Sequence, residues 1–195
     1  MTEKLFIPVI LGTNREGRQS ENVAKFLYDR MNGHEKIETK LFDVRDFNFP
    51  TNDYGQALKD KGKFSEYRDA IIKADGLVVV VPEYNHAYPG TLKSLLDVVL
   101  REYVHKAVGL VGVSAGPWGG TRAVESLVPV VRELGLAVTF SNLNFPQVQN
   151  TFDSDGKLKD DAYNQRADEF LEELIWMAET MLWGRKNLPS KYHQN

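Results

Sequence analysis

The most informative polar stretch lies between residues 12 and 20, where GTNREGRQS directly follows a short apolar run. Glycines, hydroxyls and arginines at a predicted helix start offer backbone N–H groups and guanidinium donors to an anion. The spacing from Gly12 to Gly17 approaches the triphosphate loop GxxxxGK[ST], but Arg18 and Gln19 replace its lysine and its metal-binding hydroxyl. The stretch therefore favours a phosphate monoester held without metal, and a polar turn with surface arginines is the alternative.

Two further loops offer groups that suit a flat ring. Residues 82–90 (PEYNHAYPG) contain two stiffening prolines, and their backbone and Asn85 can hydrogen-bond the edge of a ring. Tyr84 and Tyr88 can form an apolar wall, although aromatic residues more often serve packing. Glycines in residues 114–120 (SAGPWGG) allow the backbone to approach a planar ligand closely, and a tight turn is the alternative.

The remaining polar side chains have no spacing typical of a catalytic triad or a metal site. The four histidines form neither a Ser-His-Asp arrangement nor an HxxxH pair. His105 is expected at the surface, whereas the position of His86 in its loop allows it to face a substrate. Residues 153–156 (DSDG) resemble the start of a calcium loop without its final glutamate. No metal is expected, and Trp176 and Trp183 are assigned to core or subunit packing.

The elements that position these loops alternate between strand and helix along the chain. Apolar runs predict five strands, at residues 5–11, 37–43, 77–81, 108–113 and 136–140, the last with a possible continuation at 145–148. Pro8 predicts an irregularity in the first strand. Helical periodicity and capping signals predict five helices, at residues 20–31, 63–74, 89–103, 121–134 and 160–182. A long loop is expected at residues 47–62.

This alternation predicts an α/β fold with a five-stranded parallel sheet and helices on both faces. The strand order 2-1-3-4-5 is the usual one at this size, and residues 1–195 are expected to form a single domain. Ligands bind beyond the carboxyl ends of the strands in such sheets. The three loops follow the first, third and fourth strands, so one site at this edge is expected.

Composition excludes several classes of protein and of chemistry. A net charge of −3 gives no basic surface for nucleic acid, and no apolar run is long enough to span a membrane. The chain contains no cysteine, so disulfides and thiolate chemistry are excluded. The first residues lack the features of a signal peptide, and a cytoplasmic location is therefore expected.

Three segments together resemble the signatures of the NADPH-dependent FMN reductase family, which includes quinone, azo-dye and chromate reductases. They are GTNREGRQSENVA, PEYNHAYPGTLKSLLD and SAGPWGGTRA, and their order and spacing agree with the family. The resemblance implies a flavodoxin-like, FMN-binding domain. Two departures, Ala87 and the pair Ser94-Leu95, lie beside or behind the expected flavin ring and leave substrate preference open.

The resemblance also implies roles for individual residues. The FMN phosphate is expected at Thr13, Arg15, Arg18, Gln19 and Ser20. The isoalloxazine edge is expected along Pro82, Glu83, Tyr84 and Asn85, with Ser114 and Gly116 on the far side. Tyr88, Trp118 and His86 are the candidates for the substrate side. No side chain is assigned a catalytic role, because flavin N5 carries the hydride.

By the same resemblance the protein is an NAD(P)H-dependent oxidoreductase that passes two electrons through FMN to a quinone, an azo compound or a similar small acceptor. A homodimer is expected, with a tetramer as the alternative. Two other functions stay open at this stage, a flavodoxin-type electron carrier and a non-enzymatic FMN-binding regulatory protein. Arg15, Arg18 and the small net charge argue against the carrier, since flavodoxins usually have a serine- and threonine-rich phosphate loop and a strongly acidic face.

Overall fold

A parallel β-sheet runs through the centre of the molecule, and helices cover both of its faces. The computed structural model describes residues 3–50, 52 and 55–192. The strands are β1 (Leu5–Phe6), β2 (Val9–Leu11), β3 (Ile37–Glu38), β4 (Leu41–Asp43), β5 (Gly76–Pro82), β6 (Lys106–Val113), β7 (Leu136–Val138) and β8 (Leu143–Phe145). The helices are α1 (Ser20–Asn32), α2 (Lys63–Lys73), α3 (Gly90–Leu96), α4 (Thr121–Glu133) and α5 (Ala162–Asn187).

The strand order supports the predicted fold class, although the number of strand segments differs. The main sheet has the order β4-β2-β5-β6-β7, with β8 also paired to β6, and every pairing is parallel. The predicted first, second and fifth strands are each split into two segments, and apart from that splitting the order corresponds to 2-1-3-4-5. Val148 lies in a 3-10 turn beyond β8 rather than in a strand.

Pro8 accounts for the break between β1 and β2, as its position predicted. Proline has no N–H to donate to a neighbouring strand. The carbonyl of Pro8 still accepts from the backbone N–H of Val78 at 3.0 Å. The carbonyl of Ile7 accepts from the Thr39 hydroxyl at 2.7 Å, so a side chain supplies a bond where the ladder is interrupted.

The central strand β5 is buried along its whole length, because alternate side chains enter two different cores. Val78 and Val80 pack with residues of α1 and α5, whereas Val79 and Val81 pack with residues of α2, α3 and α4. Burial on both faces explains the continuous apolar run in the sequence. It also leaves the carboxyl ends of the strands as the place where polar loops reach solvent.

The predicted helix at residues 89–103 is too long, because the observed helix α3 ends at Leu96. Val98 and Val99 are buried in the core beside α2, and Tyr103 follows in a short 3-10 helix. The Tyr103 hydroxyl lies 2.6 Å from that of Tyr67, and burial raises the pKa of Tyr67 well above its ordinary value. The helix ends at Leu96, and these apolar residues then enter the core.

At the other end of the chain, α5 continues to Asn187, beyond the predicted residue 182.

The predicted loop at residues 47–62 contains a short 3-10 helix, Gly55–Leu58. Residues 51, 53 and 54 of this loop lie outside the described residues. The rest of the loop follows turns and irregular backbone, as its composition predicted.

Lys106 is an unusual buried cation at the end of the sheet opposite the three loops. It is only 5% exposed, and its ammonium group donates to the carbonyls of Ile71 and Ile72 at the end of α2. Burial and the nearby Arg185 lower the pKa of Lys106 to about 7. Above about pH 7 the folded protein has therefore lost the proton of Lys106, whereas the unfolded chain keeps it up to the ordinary lysine pKa of 10.5.

We expect stability to rise with pH between these two pKa values, because the unfolded state binds more protons there. From about pH 7 to about pH 9, the free energy of unfolding should rise by about 2 kcal/mol more in the native protein than in Lys106→Met. Urea unfolding at both pH values measures this difference. Lys186→Met, at an exposed site nearby, should show the same rise in the free energy of unfolding with pH as the native protein. An equal rise in Lys106→Met and in the native protein would contradict the lowered pKa of Lys106.

Candidate functional site

The three predicted loops meet at the carboxyl edge of the sheet, after β2, β5 and β6. The Tyr84 hydroxyl of the second loop lies 2.7 Å from Thr13 Oγ1 of the first. The guanidinium of Arg15 lies 3.9 Å above the Tyr84 ring, as a cation–π pair. The backbone N–H of Glu83 donates to Val113 O at 2.9 Å, which joins the second loop to the end of β6. The structure therefore brings together residues that the sequence analysis grouped.

Arg18 is held inside the first loop rather than presented to a ligand. Its Nη1 donates to Asp43 Oδ1 at 2.7 Å and to the Thr13 carbonyl, and its Nη2 donates to Asp43 Oδ2. Its Nε and Nη2 also approach Glu21 Oε2 at 3.4 Å. Burial opposes the charge of Arg18, but the bonds and charges of Asp43 and Glu21 raise its pKa overall. All five N–H groups of the guanidinium are thus engaged within the protein.

Arg15 has the opposite environment. Its side chain is exposed, and no carboxylate in the described ranges 3–50, 52 and 55–192 forms an ion pair with it. The loop is anchored by Arg45, whose guanidinium donates to the carbonyls of Asn14 and Arg15. Of the two arginines expected to contact a phosphate, only Arg15 therefore has donors free for a ligand. Arg18 stabilises the conformation of the loop through its bonds to Thr13 and Asp43.

The start of α1 adds backbone donors to this loop. The first N–H groups of a helix have no intrahelical partner, and Gln19, at the N-cap, makes no side-chain capping bond. Gly17, with φ of +65°, allows the chain to turn into the helix. Together with Arg15, these N–H groups suit an anion of phosphate size.

Three buried polar oxygens in the described part of the chain have no hydrogen-bond partner: Ser20 Oγ, Glu83 Oε2 and Thr91 Oγ1. Buried polar atoms are nearly always satisfied, so each such atom calls for an explanation. All three belong to the loops that follow β2 and β5 and the helix starts beyond them. Their grouping at one edge fits a polar ligand, and the residues present therefore fit FMN, which carries a phosphate and a ring with hydrogen-bonding edges. Thr91, which follows Gly90 in the sequence, carried no signal that pointed to the site.

The second loop is closed by a tight turn. Tyr84 and Ala87 exchange two backbone hydrogen bonds, of 2.9 and 3.1 Å. Between them Asn85 and His86 have φ values of +51° and +68°, in the left-handed region that non-glycine residues adopt infrequently, although asparagine and histidine do so more often than most. Such strain collects at functional sites, where it holds a side chain in one place. Tyr88 is half-buried and packs against the core on the side of α3, which leaves it a smaller role in lining a site.

The third loop folds back on the end of β6. Ser114 Oγ donates to the Gly116 carbonyl at 3.0 Å, and the N–H of Gln147 donates to the same carbonyl at 3.0 Å. A Cβ at Gly112 would lie 2.5 Å from the Gly119 carbonyl, so glycine is required for this close approach. Around Gly116 there is open space, and Trp118 is 63% exposed.

Arg122, which the sequence analysis did not assign, connects the second and third loops. Its Nη2 lies 2.5 Å from Glu83 Oε1, and its Nη1 lies 2.7 Å from Nε2 of His86. Glu83 is nearly buried and is the only carboxylate among the described residues that pairs with Arg122. The signal was available, since Arg122 lies two residues after the glycine loop in the segment SAGPWGGTRA.

No metal site accompanies these loops. Within the described part of the chain there is no group of three or more histidine, cysteine, aspartate or glutamate residues arranged to hold a metal ion. In the same part, no helix is long and apolar enough to cross a membrane.

An open parallel sheet of this order, with helices on both faces and polar loops after β2, β5 and β6 that meet at one edge, defines a flavodoxin-like protein. Residues 6–150 match the family model of NADPH-dependent FMN reductases. The chain belongs to this family. It is an oxidoreductase that uses FMN and a nicotinamide cofactor to deliver electrons to small acceptors.

Individual relatives agree with this assignment. The chain is 31% identical over 157 residues to an NADPH azoreductase of Bacillus sp. (strain OY1-2), covering 79% of this chain and 82% of the relative. It is 26% identical over 170 residues to a quinone reductase of Pseudomonas putida (strain KT2440), covering 82% and 88%. The solved FerB flavoenzyme NAD(P)H:(acceptor) oxidoreductase of Paracoccus denitrificans matches with a TM-score of 0.73 at 21% identity, over 91% of this chain and 98% of that one, which supports the fold.

We expect Arg18→Met to lower the free energy of unfolding of the FMN-free protein by about 3 kcal/mol, because it leaves the largely buried Asp43 carboxylate without its ion-pair partner. Arg15→Met removes an exposed guanidinium that has no ion-pair partner and only a cation–π contact with Tyr84, so it should change the free energy of unfolding by at most about 1 kcal/mol. Urea unfolding measures both. Similar stabilities for the two variants would show that Arg18 does not hold the loop.

Proposed function

We propose that the three loops hold FMN, with the phosphate at the first loop and the ring between the second and third. The observation that carries this proposal is the grouping of unsatisfied buried oxygens with the guanidinium of Arg15, which has no acidic partner in the described part of the chain, at one edge of the sheet. A phosphate is a strong acceptor for the Ser20 hydroxyl and for the Arg15 guanidinium, which can bind it with two parallel hydrogen bonds.

In this proposal the phosphate is bound by Arg15, the Thr13 and Ser20 hydroxyls and the N–H groups around Gln19. Arg18 is a positioning residue for the phosphate loop, because its own donors are engaged by Asp43 and Glu21. The hydroxyl of Thr13 already bridges to Tyr84, so the phosphate loop and the ring-edge loop are coupled before any ligand binds.

The ring is proposed to lie along Pro82, Glu83, Tyr84 and Asn85, with Ser114 and Gly116 on its other side. The left-handed turn fixes Asn85 at this edge, and the open space at Gly116 leaves room for a planar group. FMN supplies the hydride and electron chemistry when bound. The residues of the chain bind and orient it, and no side chain is proposed as a catalytic base.

We propose that the nicotinamide donor and the electron acceptor bind in turn on the face bordered by Trp118, His86 and the half-buried Tyr88. The exposed indole of Trp118 offers an aromatic surface to both. Quinones and azo compounds are the proposed acceptors, in line with the names of the azoreductase and quinone reductase relatives. Because the chain belongs to a family of reductases, this proposal is preferred to the carrier and to the regulatory protein.

We further propose that residues 1–195 form one domain, that the protein is cytoplasmic, and that it assembles as a homodimer, with a tetramer as the alternative. The apolar side chains of α3, Leu92, Leu95 and Leu96, are buried in the core of their own chain, so they are not available for a subunit boundary. Trp176 and Trp183, expected in the core or at a subunit boundary, are exposed and lie outside the core, so they remain available for such a boundary. Light scattering at assay concentration measures the oligomeric state, and a monomer would overturn this part of the proposal. Limited proteolysis and cell fractionation test the other two parts.

Arg15→Met should weaken the binding of FMN by about ten- to a hundred-fold, because a charged hydrogen bond contributes roughly 1.5–3 kcal/mol. Riboflavin, which lacks the phosphate, should bind the variant and the native protein equally. Fluorescence titration with both flavins measures the two affinities. An equal loss for FMN and riboflavin would place Arg15 away from the phosphate.

Alternate binding on one face predicts ping-pong kinetics, with parallel double-reciprocal lines for NADPH and a quinone. In a stopped-flow experiment, NADPH or NADH alone should bleach the flavin absorbance, and a quinone added afterwards should restore it. An electron carrier would react with either nucleotide only through a partner reductase. Negligible direct bleaching by both nucleotides would overturn the proposed function.

A further inference from the structure

Arg122 differs from Arg15 and Arg18, the other two arginines beside the three loops, in its position and in the role left open to it. Arg18 is engaged by Asp43 and Glu21, and Arg15 is proposed to bind the cofactor phosphate. Arg122 lies at the other side of the site, at the start of α4, and its side chain is 43% exposed. It is therefore the loop cation that remains for a second ligand.

The contacts of Arg122 fix its guanidinium without exhausting its donors. Nη2 is paired with Glu83 and Nη1 with His86, so two of its five N–H groups are engaged. Glu83 is almost buried behind the guanidinium, whereas Arg122 faces solvent. The pair consequently presents its positive end outward, and the remaining N–H groups can donate to an incoming anion.

His86 acts as a neutral support for Arg122. A guanidinium has no acceptor, so Nε2 of His86 must accept the bond and the ring proton must be on Nδ1. The left-handed backbone of His86, with φ of +68°, holds the imidazole in this position. In addition to the ion pair with Glu83, this contact with His86 therefore orients the guanidinium without adding a second negative charge beside it.

The surroundings of Arg122 favour an aromatic anion. Thr121 donates through its side chain to the Trp118 carbonyl at 2.7 Å, which ties the backbone of Trp118 to the start of α4, and the indole is exposed. Residues 82–90 and 114–122 contain Glu83 as their single acidic residue, and its charge is already paired. A flat ring can therefore contact Trp118 while a carboxylate or sulfonate on it reaches Arg122.

We propose that Arg122 is a specificity-determining residue, which selects aryl carboxylates and aryl sulfonates over neutral aromatic compounds of the same shape at the acceptor face. This inference rests on the proposed function, since it assumes that the acceptor binds beside the second and third loops. It adds the class of acceptor, which is an aromatic ring with an anionic substituent.

The test compares two compounds that differ in charge but hardly in shape, 2-naphthoate and 2-naphthamide. Neither is reduced, so their dissociation constants for the FMN-loaded protein can be measured at equilibrium by calorimetry. The native protein should bind the anion about tenfold more tightly than the amide. Arg122→Met should abolish this preference, and Arg122→Lys should retain part of it. Arg132→Met, on the exposed last turn of the same helix, should leave the preference unchanged.

Loss of Arg122 leaves Glu83 buried without a partner, and this alone can disturb the loops. The double variant Glu83→Gln/Arg122→Met removes the cation without leaving an unpaired buried charge. It should also bind both compounds equally. If either the single or the double variant keeps the native preference for naphthoate, or if the native protein shows no preference, the inference is wrong.

The same variants separate this inference from the proposed function through turnover. The ratio of kcat/KM for a sulfonated naphthoquinone to that for the unsubstituted naphthoquinone should fall about tenfold in Arg122→Met relative to the native protein. A native protein that binds FMN and reduces both quinones, but whose ratio does not change on substitution, would overturn the role of Arg122 alone. A native protein that fails to bind FMN or to reduce either quinone would overturn the proposed function.

Discussion

The burial of β5 and β6 on both faces is the constraint on which the rest of the structure depends. Every residue of these strands is buried, with helices above and below, so their polar backbone groups must be satisfied within the sheet. Polar side chains can be accommodated only where the strands end. The parallel arrangement brings those ends to one edge, and the loops after β2, β5 and β6 meet there as a consequence.

Three arginines at this edge have three different environments, and these environments decide what each can do. Arg18 is surrounded by carboxylates and a carbonyl, and it stabilises the loop after β2 from within. Arg15 lies on the Tyr84 ring with no acidic partner among the residues that the structure describes. Arg122 is exposed but held from behind by a buried glutamate. Arg18 therefore stabilises a loop, Arg15 is a cation with free donors, and Arg122 is a cation held in a fixed orientation.

The site is built for binding and orientation more than for proton transfer. Its histidine is engaged by an arginine, and its buried glutamate is paired with the same arginine. Neither arrangement resembles a general base in contact with a nucleophile. This agrees with membership of a family in which the flavin carries the redox chemistry and the protein determines what can approach it. Selectivity then depends on the residues around the open face.

The sequence by itself determined the fold class, the positions of most strands and helices, and the three loops of the site. These features follow from local patterns, such as the apolar run of β5, the break at Pro8 and the glycines after β6, which act over a few residues. Only the tertiary structure decided that α3 stops at Leu96, because that end depends on which residues enter the core beside α2. Only the tertiary structure could distinguish the arginines, since Arg18 differs from Arg15 through Asp43, 25 residues further along the chain. Hydrogen bonds and ion pairs act at a range of a few ångströms, so a side chain acquires its partners only when the strands have aligned and the loops at their ends have come together.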